Sequence, residues 1–221
     1  MDSSAKLVLV CGGMFAAKTE YLAAIAARER RRKRVVYYKV NLNGGDPVRA
    51  EGEKAIRTHS GRDVVDAYLV SRDYPILRHL ATIAYRSSEG LKPDNDFDIL
   101  ILDEVQFLSS INAGWIVDLV ERYGKTVYAA GLDMDYTGHS FDTVAKLACH
   151  ADEGVKLKAV CHKCGIDATY SIRVKESNNR LEEGSQGDYV PACRWCFREV
   201  RPTSFPAPLH TEEDDASTHR D

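Results

Sequence analysis

Two groups of residues, far apart in the chain, have the types and spacing to do chemistry. Gly12-Gly13-Met14-Phe15-Ala16-Ala17-Lys18-Thr19 follows the apolar run Leu7-Val8-Leu9-Val10 and leads into a helix-forming stretch. A strand, a glycine turn and a helix opening on Lys-Thr form the setting of a phosphate-binding loop. The unpaired N–H groups and positive dipole end of such a helix favour an anion. All eight loop residues are therefore expected at a nucleotide's phosphates. Lys18 would reach the β and γ phosphates, and the Thr19 hydroxyl would ligate Mg²⁺. The usual pattern has glycine just before the lysine. Here that position is Ala17, so its methyl would crowd the phosphates or strain a backbone angle, at about 1–3 kcal/mol if the site cannot relax.

Asp103 ends a second apolar run, Phe97-Asp98-Ile99-Leu100-Ile101-Leu102, where such a loop needs its other Mg²⁺ contact. Glu104 follows directly and is expected to point to the opposite side, able to take a proton from an attacking hydroxyl. In isolation two acids at a strand end are equally well read as solvated groups; the loop is what makes them a metal ligand and a base.

The second group is Cys161-x-x-Cys164 and Cys193-x-x-Cys196. Each pair brings two thiolates to one corner, and tetrahedral Zn²⁺ takes four at about 2.3 Å. Four cysteines leave no open coordination position, so the metal reads as structural. A redox role would suit one C-x-x-C better than two matched ones. His162, inside the first pair, is an alternative ligand. Cys11 and Cys149 read as small buried residues.

These groups need elements to position them. Leu22, Ile25 and Ala26 recur at helical spacing over residues 18–32, and Leu77, Leu80 and Ala84 do so over 75–85. Strands are expected at 35–38, 97–102 and 127–130, a further helix around 115–120, and a turn-rich loop at 41–46 with Gly44-Gly45 at its most permissive point. Strands alternating with helices predict an α/β fold: a P-loop NTPase-like, mostly parallel sheet flanked by helices. The alternation stops near Leu157. Residues 1–157 are expected to form the ATP-binding α/β domain. Residues 158–200 should form a small zinc-ribbon module with too few apolar residues for a core of its own, and therefore stapled by the metal. Residues 201–221, with Glu212-Glu213-Asp214-Asp215, should form a disordered acidic tail.

Composition narrows the function further. A formal charge of -3 makes no electrostatic case for nucleic acid. The basic run at residues 28–34 is interrupted by Glu29 and ends a helix, where cations suit the dipole. No stretch is long and apolar enough for a membrane span, and Met1-Asp2-Ser3-Ser4 does not resemble a signal peptide. Paired C-x-x-C units fit a reducing, cytoplasmic compartment better than a disulfide framework.

The ordered set of motifs resembles the type II thymidine kinases from about Lys6 to Phe197. It comprises the loop with Met14-Phe15, Asp103-Glu104-Val105-Gln106-Phe107, Gly131-Leu132-Asp133, Cys161-x-x-Cys164 and Tyr189-x-x-x-Cys193-Arg194-x-Cys196. The resemblance implies transfer of the ATP γ-phosphoryl group to the 5′-hydroxyl of thymidine or deoxyuridine, with Mg²⁺ and a structural Zn²⁺. It also implies a homotetramer and feedback inhibition by dTTP. On it, Glu104 looks like the general base, Arg173 matches a basic position near the phosphates, and Gln106 joins the cofactor-binding residues. Phe107 resembles the aromatic that packs on the nucleoside. Met14, Leu132 and Tyr136 match positions lining the base pocket, and Ser171 stands where the family often has threonine near the thymine methyl. Glu182, Gly184 and Tyr189 fall in a lasso-like loop that, in the family, holds the base largely through backbone groups. The family usually carries Asp-x-Arg soon after a lysine; residues 39–49 offer no clean match, and Asp46 and Arg49 are the candidates for that work. A catalytically weak nucleotide-binding relative, and an ATPase using its zinc ribbon on nucleic acid, are the competing readings.

Overall fold

The computed structural model describes residues 5–41, 48–49, 56–57, 63–64, 67–71, 97–174 and 187–200. The expected helix at 75–85, most of the loop at 41–46, Asp46, Glu182, Gly184 and the tail lie outside the described residues.

Among the described residues nine strands precede the cysteine segment: β1 (Leu7–Cys11), β2 (Val35–Asn41), β3 (Val48–Arg49), β4 (Ile56–Arg57), β5 (Asp63–Val64), β6 (Ala67–Ser71), β7 (Ile99–Asp103), β8 (Thr126–Gly131) and β9 (Glu153–Lys156). Seven of them make one sheet in the order β3-β6-β2-β7-β8-β1-β9. All its neighbouring pairs are parallel except β3 with β6. β4 and β5 pair separately. Three helices of the described residues flank the sheet: α1 (Lys18–Glu29), α2 (Ile111–Glu121) and α3 (Asp142–His150).

Successive side chains of a strand face opposite ways, and the cores divide accordingly. Val8, Val10, Ile99, Ile101, Tyr128 and Ala130 pack with Leu22, Ile25 and Ala26 of α1. Leu7, Leu9, Leu100, Leu102, Val127 and Ala129 pack with Ile116 and Leu119 of α2 and Val144 and Leu147 of α3. With helices on both faces, β7 and β8 are buried along their whole length, which is why they read as unbroken apolar runs. The expected α/β class is the one found.

Several boundaries move. α1 ends at Glu29 rather than reaching residue 32, and its last buried residue is Ala26. α2 begins earlier than expected, and β2 runs on to Asn41. The sequence reading missed β3 to β6, α3 and β9.

After β9 the chain forms two small antiparallel pairs, β10 (Ala159–Val160) with β11 (Asp167–Ala168) and β12 (Tyr170–Arg173) with β13 (Tyr189–Ala192), followed by the short helix α4 (Arg194–Val200). Their apolar cluster contains Ala159, Cys161, Ala168, Ala192, Cys193, Cys196 and Phe197. It is completed from outside by Phe15 and Ala16 of the glycine loop. The segment's shortage of apolar residues is met by packing against the glycine loop. The isolated cysteines differ from expectation: Cys11 is half-buried and Cys149 is exposed on α3.

Candidate active site

Ligands of open α/β sheets bind beyond the carboxyl ends of the strands, and here β1, β7 and β8 end side by side. The glycine loop leaves β1 under tight steric control. A Cβ on Gly12 would lie 2.4 Å from the Leu157 carbonyl oxygen, and one on Gly13 3.2 Å from that of Thr169. The Met14 N–H donates to Ser171 Oγ at 3.0 Å, so a buried serine of β12 holds the crest of the loop. The three non-glycine residues with positive φ among those described, Phe15 (64°), Ala17 (59°) and Glu104 (62°), all lie in this site. Strain gathered in this way is characteristic of functional positions. At Ala17 the expected penalty is therefore a backbone one: the residue is left-handed and exposed, with no side-chain cap on α1.

Lys18 is only 8% exposed. Its Nζ donates to the carbonyls of Gly12 (3.1 Å) and Gly13 (2.8 Å), inside the curve of the loop. Burial pulls its pKa down, opposed by the charges of Glu104, Asp103 and Asp133.

Asp103, 1% exposed, is the hub. Its Oδ2 accepts from Thr19 Oγ1 at 2.9 Å and from the Tyr37 hydroxyl at 3.1 Å, and its Oδ1 accepts from the Glu104 N–H at 3.0 Å. Burial, with the neighbouring Glu104 charge, lifts its pKa to about 6 against the pull of Lys39, Thr19 and Lys18. Sequence reasoning treated Tyr37 only as a strand residue. No local pattern marks it, because the contact arises from the pairing of β2 with β7, which sets Lys39 opposite Asp103. A hydroxyl and a carboxylate meeting beside a lysine suit a hard divalent cation such as Mg²⁺, which takes oxygen ligands.

Glu104 leaves the strand in a left-handed turn and opens a short 3₁₀ segment, Val105–Phe107. One carboxylate oxygen lies 4.0 Å from Lys39 Nζ; the other accepts from the Gln106 side-chain amide. The Gln106 Oε1 in turn accepts from the Leu132 N–H at 3.0 Å. Gln106, expected among the cofactor-binding residues, is thus buried between Glu104 and the chain leaving β8.

The residues expected around a nucleoside fall in two places. Phe107 is buried in the main core, with Leu132 packed against it. Tyr136, Ser171, Arg173 and Tyr189 lie where β12 and β13 meet the loop after β8. There the Arg173 guanidinium stacks on Tyr136, 3.9 Å from its ring centre, and its Nε donates to the Tyr189 hydroxyl at 2.9 Å. Arg49, named with Asp46 as the candidate for the family's Asp-x-Arg element, stands in β3 opposite Tyr68.

The sulfurs of Cys161, Cys164, Cys193 and Cys196 all lie within 4.8 Å of one another. Cys164 Sγ is 3.7 Å from both Cys193 Sγ and Cys196 Sγ. A tetrahedron with about 2.3 Å metal–sulfur bonds has edges near 3.8 Å, whereas a disulfide requires about 2.05 Å. The cluster therefore fits a four-thiolate Zn²⁺ site. Backbone N–H groups, that of Cys193 foremost, lower the Cys161 thiol to about 6, while burial and the neighbouring cysteines push Cys196 up to about 12. His162 is exposed and not part of the group.

A family model described as thymidine kinase matches residues 5–197. A thymidine kinase of Rhodothermus sp. is 31% identical over 212 residues, covering 92% of this chain and 88% of its own. One from Bacteroides thetaiotaomicron is 30% identical over 202 residues, covering 89% and 88%. One from Pseudothermotoga lettingae is 27% identical over 197 residues, covering 88% and 96%. A solved DNA replication initiation factor aligns with 70% of this chain and 40% of its own at 17% identity and a TM-score of 0.35, too distant a likeness to bear on function.

Proposed function

The chain belongs to the thymidine kinase family and transfers the γ-phosphoryl group of ATP to the 5′-hydroxyl of thymidine, and we propose that the residues gathered at the ends of β1, β7 and β8 divide that work. The observation that carries the assignment is the Thr19 Oγ1 to Asp103 Oδ2 hydrogen bond at 2.9 Å, joining the glycine loop to the acidic strand end across 84 positions.

Residues 12–19 cradle the polyphosphate with backbone N–H groups at the start of α1, where the helix dipole adds to the attraction. The Lys18 ammonium turns from the loop carbonyls to the β and γ phosphates. Thr19 and Asp103 hold Mg²⁺, whose contribution when bound is to neutralise charge on the phosphate oxygens. Glu104 takes the proton of the 5′-hydroxyl as its oxygen bonds to the γ-phosphorus and the bond to ADP breaks. Met14, Phe107, Leu132, Tyr136, Ser171 and Tyr189 line the nucleoside pocket, to which Glu182 and Gly184 are assigned by resemblance alone. Arg173 serves the transferring phosphate, and its contacts with Tyr136 and Tyr189 support a second role in holding the pocket walls together. The four cysteines carry Zn²⁺ structurally. The proposal extends by resemblance to a cytoplasmic homotetramer inhibited by dTTP.

The test is formation of thymidine monophosphate from MgATP and thymidine by the native chain and by Glu104→Gln. General-base removal is expected to lower turnover about 10²-fold or more. Native-like turnover in Glu104→Gln would overturn the base assignment. A native chain that binds ATP or dTTP without turnover would favour the regulatory relative.

A further inference from the structure

We propose that Gln106 is a positioning residue that ties the base to the nucleoside pocket: one side-chain amide aims Glu104 and anchors the chain at Leu132. The inference rests on Glu104 being the general base.

Gln106 is 5% exposed, and both ends of its amide are engaged. The Nε2 donates to Glu104 Oε2, and the Oε1 accepts from the Leu132 N–H at 3.0 Å. A carboxylate only accepts and an N–H only donates, so a single orientation of the amide satisfies both. Glu104 is also drawn towards β2 by Lys39, 4.0 Å from its other oxygen. With Gln106 holding Oε2 and Lys39 facing Oε1, the carboxylate is restrained from two sides. Without the amide, the lysine alone would set its direction.

Room for this arrangement is reserved by Gly131, the last residue of β8. A Cβ there would lie 2.7 Å from Gln106 Oε1, 3.0 Å from Val105 Cγ2 and 3.2 Å from the Gln106 nitrogen. The backbone and a γ-methyl cannot yield as a free side-chain end can, so any larger residue at 131 displaces the amide. The link also explains why the short 3₁₀ segment follows Glu104 directly: the turn brings residues 104 and 106 to the same side, facing the end of β8.

The experiment compares kcat with thymidine affinity measured by calorimetric titration, for the native enzyme, Gln106→Glu, Gln106→Met, Gly131→Ala and Glu104→Gln. Gln106→Glu keeps an oxygen for the Leu132 N–H but replaces the donor facing Glu104. Its kcat should fall about 10²-fold, the loss typical of a misplaced catalytic group, while thymidine Kd changes less than about threefold. Gln106→Met loses both bonds, so kcat falls similarly and Kd rises about tenfold, as an orphaned N–H predicts. Gly131→Ala, which leaves residue 106 intact, should lower kcat by an intermediate factor. Native turnover in Glu104→Gln would remove the base, and the proposal with it. If Glu104→Gln is inactive but the Gln106 variants turn over within about twofold of native, the tether alone is overturned. It is equally overturned if Gln106→Glu and Gln106→Met change kcat and Kd to the same extent, the pattern of a merely structural residue.

Discussion

Ala17 sits at φ 59° and ψ 33°, in the left-handed region, at the N-cap of α1. For a residue with a Cβ this conformation costs roughly 1–2 kcal/mol. Replacing it by glycine removes that strain but returns about 0.4–1 kcal/mol of chain entropy to the unfolded state. The net expectation for Ala17→Gly is a gain of about 0.5–1 kcal/mol. In a chain of 221 residues each kcal/mol moves Tm by roughly 2–4 °C, so the variant should melt about 1–4 °C higher. Ala17→Val should move the other way by several degrees, because a β-branched side chain tolerates positive φ least. Differential scanning calorimetry without nucleotide measures both. The methyl is exposed, so lost packing contributes little to either change. An unchanged or lowered Tm in Ala17→Gly, or native stability in Ala17→Val, would refute the strain argument.

Asp103 has its pKa raised to about 6, so the folded protein binds its proton more tightly than the unfolded chain. Its contribution to stability without metal should therefore fall as pH rises from about 4 to about 6 and level off above. Urea midpoints across that range should show this slope weakened in Asp103→Asn. Cys193→Ser should lower zinc content, read by atomic absorption, and raise the thymidine KM. Because Phe15 and Ala16 share the apolar cluster of the cysteine segment, ATP affinity should weaken in the same variant. Normal affinity for both substrates in a zinc-free protein would separate the metal from the site.

The α/β class was legible because strands buried on both faces carry unbroken apolar runs, as in Leu100-Ile101-Leu102. α3 was harder to see. Its buried residues are Thr143, Val144 and Leu147, only two of them apolar. β9 has a largely exposed pattern and earns its place by pairing with β1. The small strands around the cysteines have two to four residues each, too short for any period to register. They are held by their cysteine cluster and by the neighbouring loop.

By itself the sequence determined the chemistry whose residues lie close together in the chain: the Lys-Thr helix start, the Asp-Glu strand end and the two C-x-x-C pairs. These are local because a helix N-terminus or a two-thiolate corner is built from consecutive backbone. Which distant groups complete them depends on how the chain packs. Tyr37 reaches Asp103 across 66 positions, Leu132 reaches Gln106 across 26, and Ser171 holds Met14 across 157. The first two follow from strand order, with β7 between β2 and β8, and the third from the seating of β12, outside that sheet, against the glycine loop. Strand order is set by the packing of both sheet faces at once, and no stretch of neighbouring residues carries it.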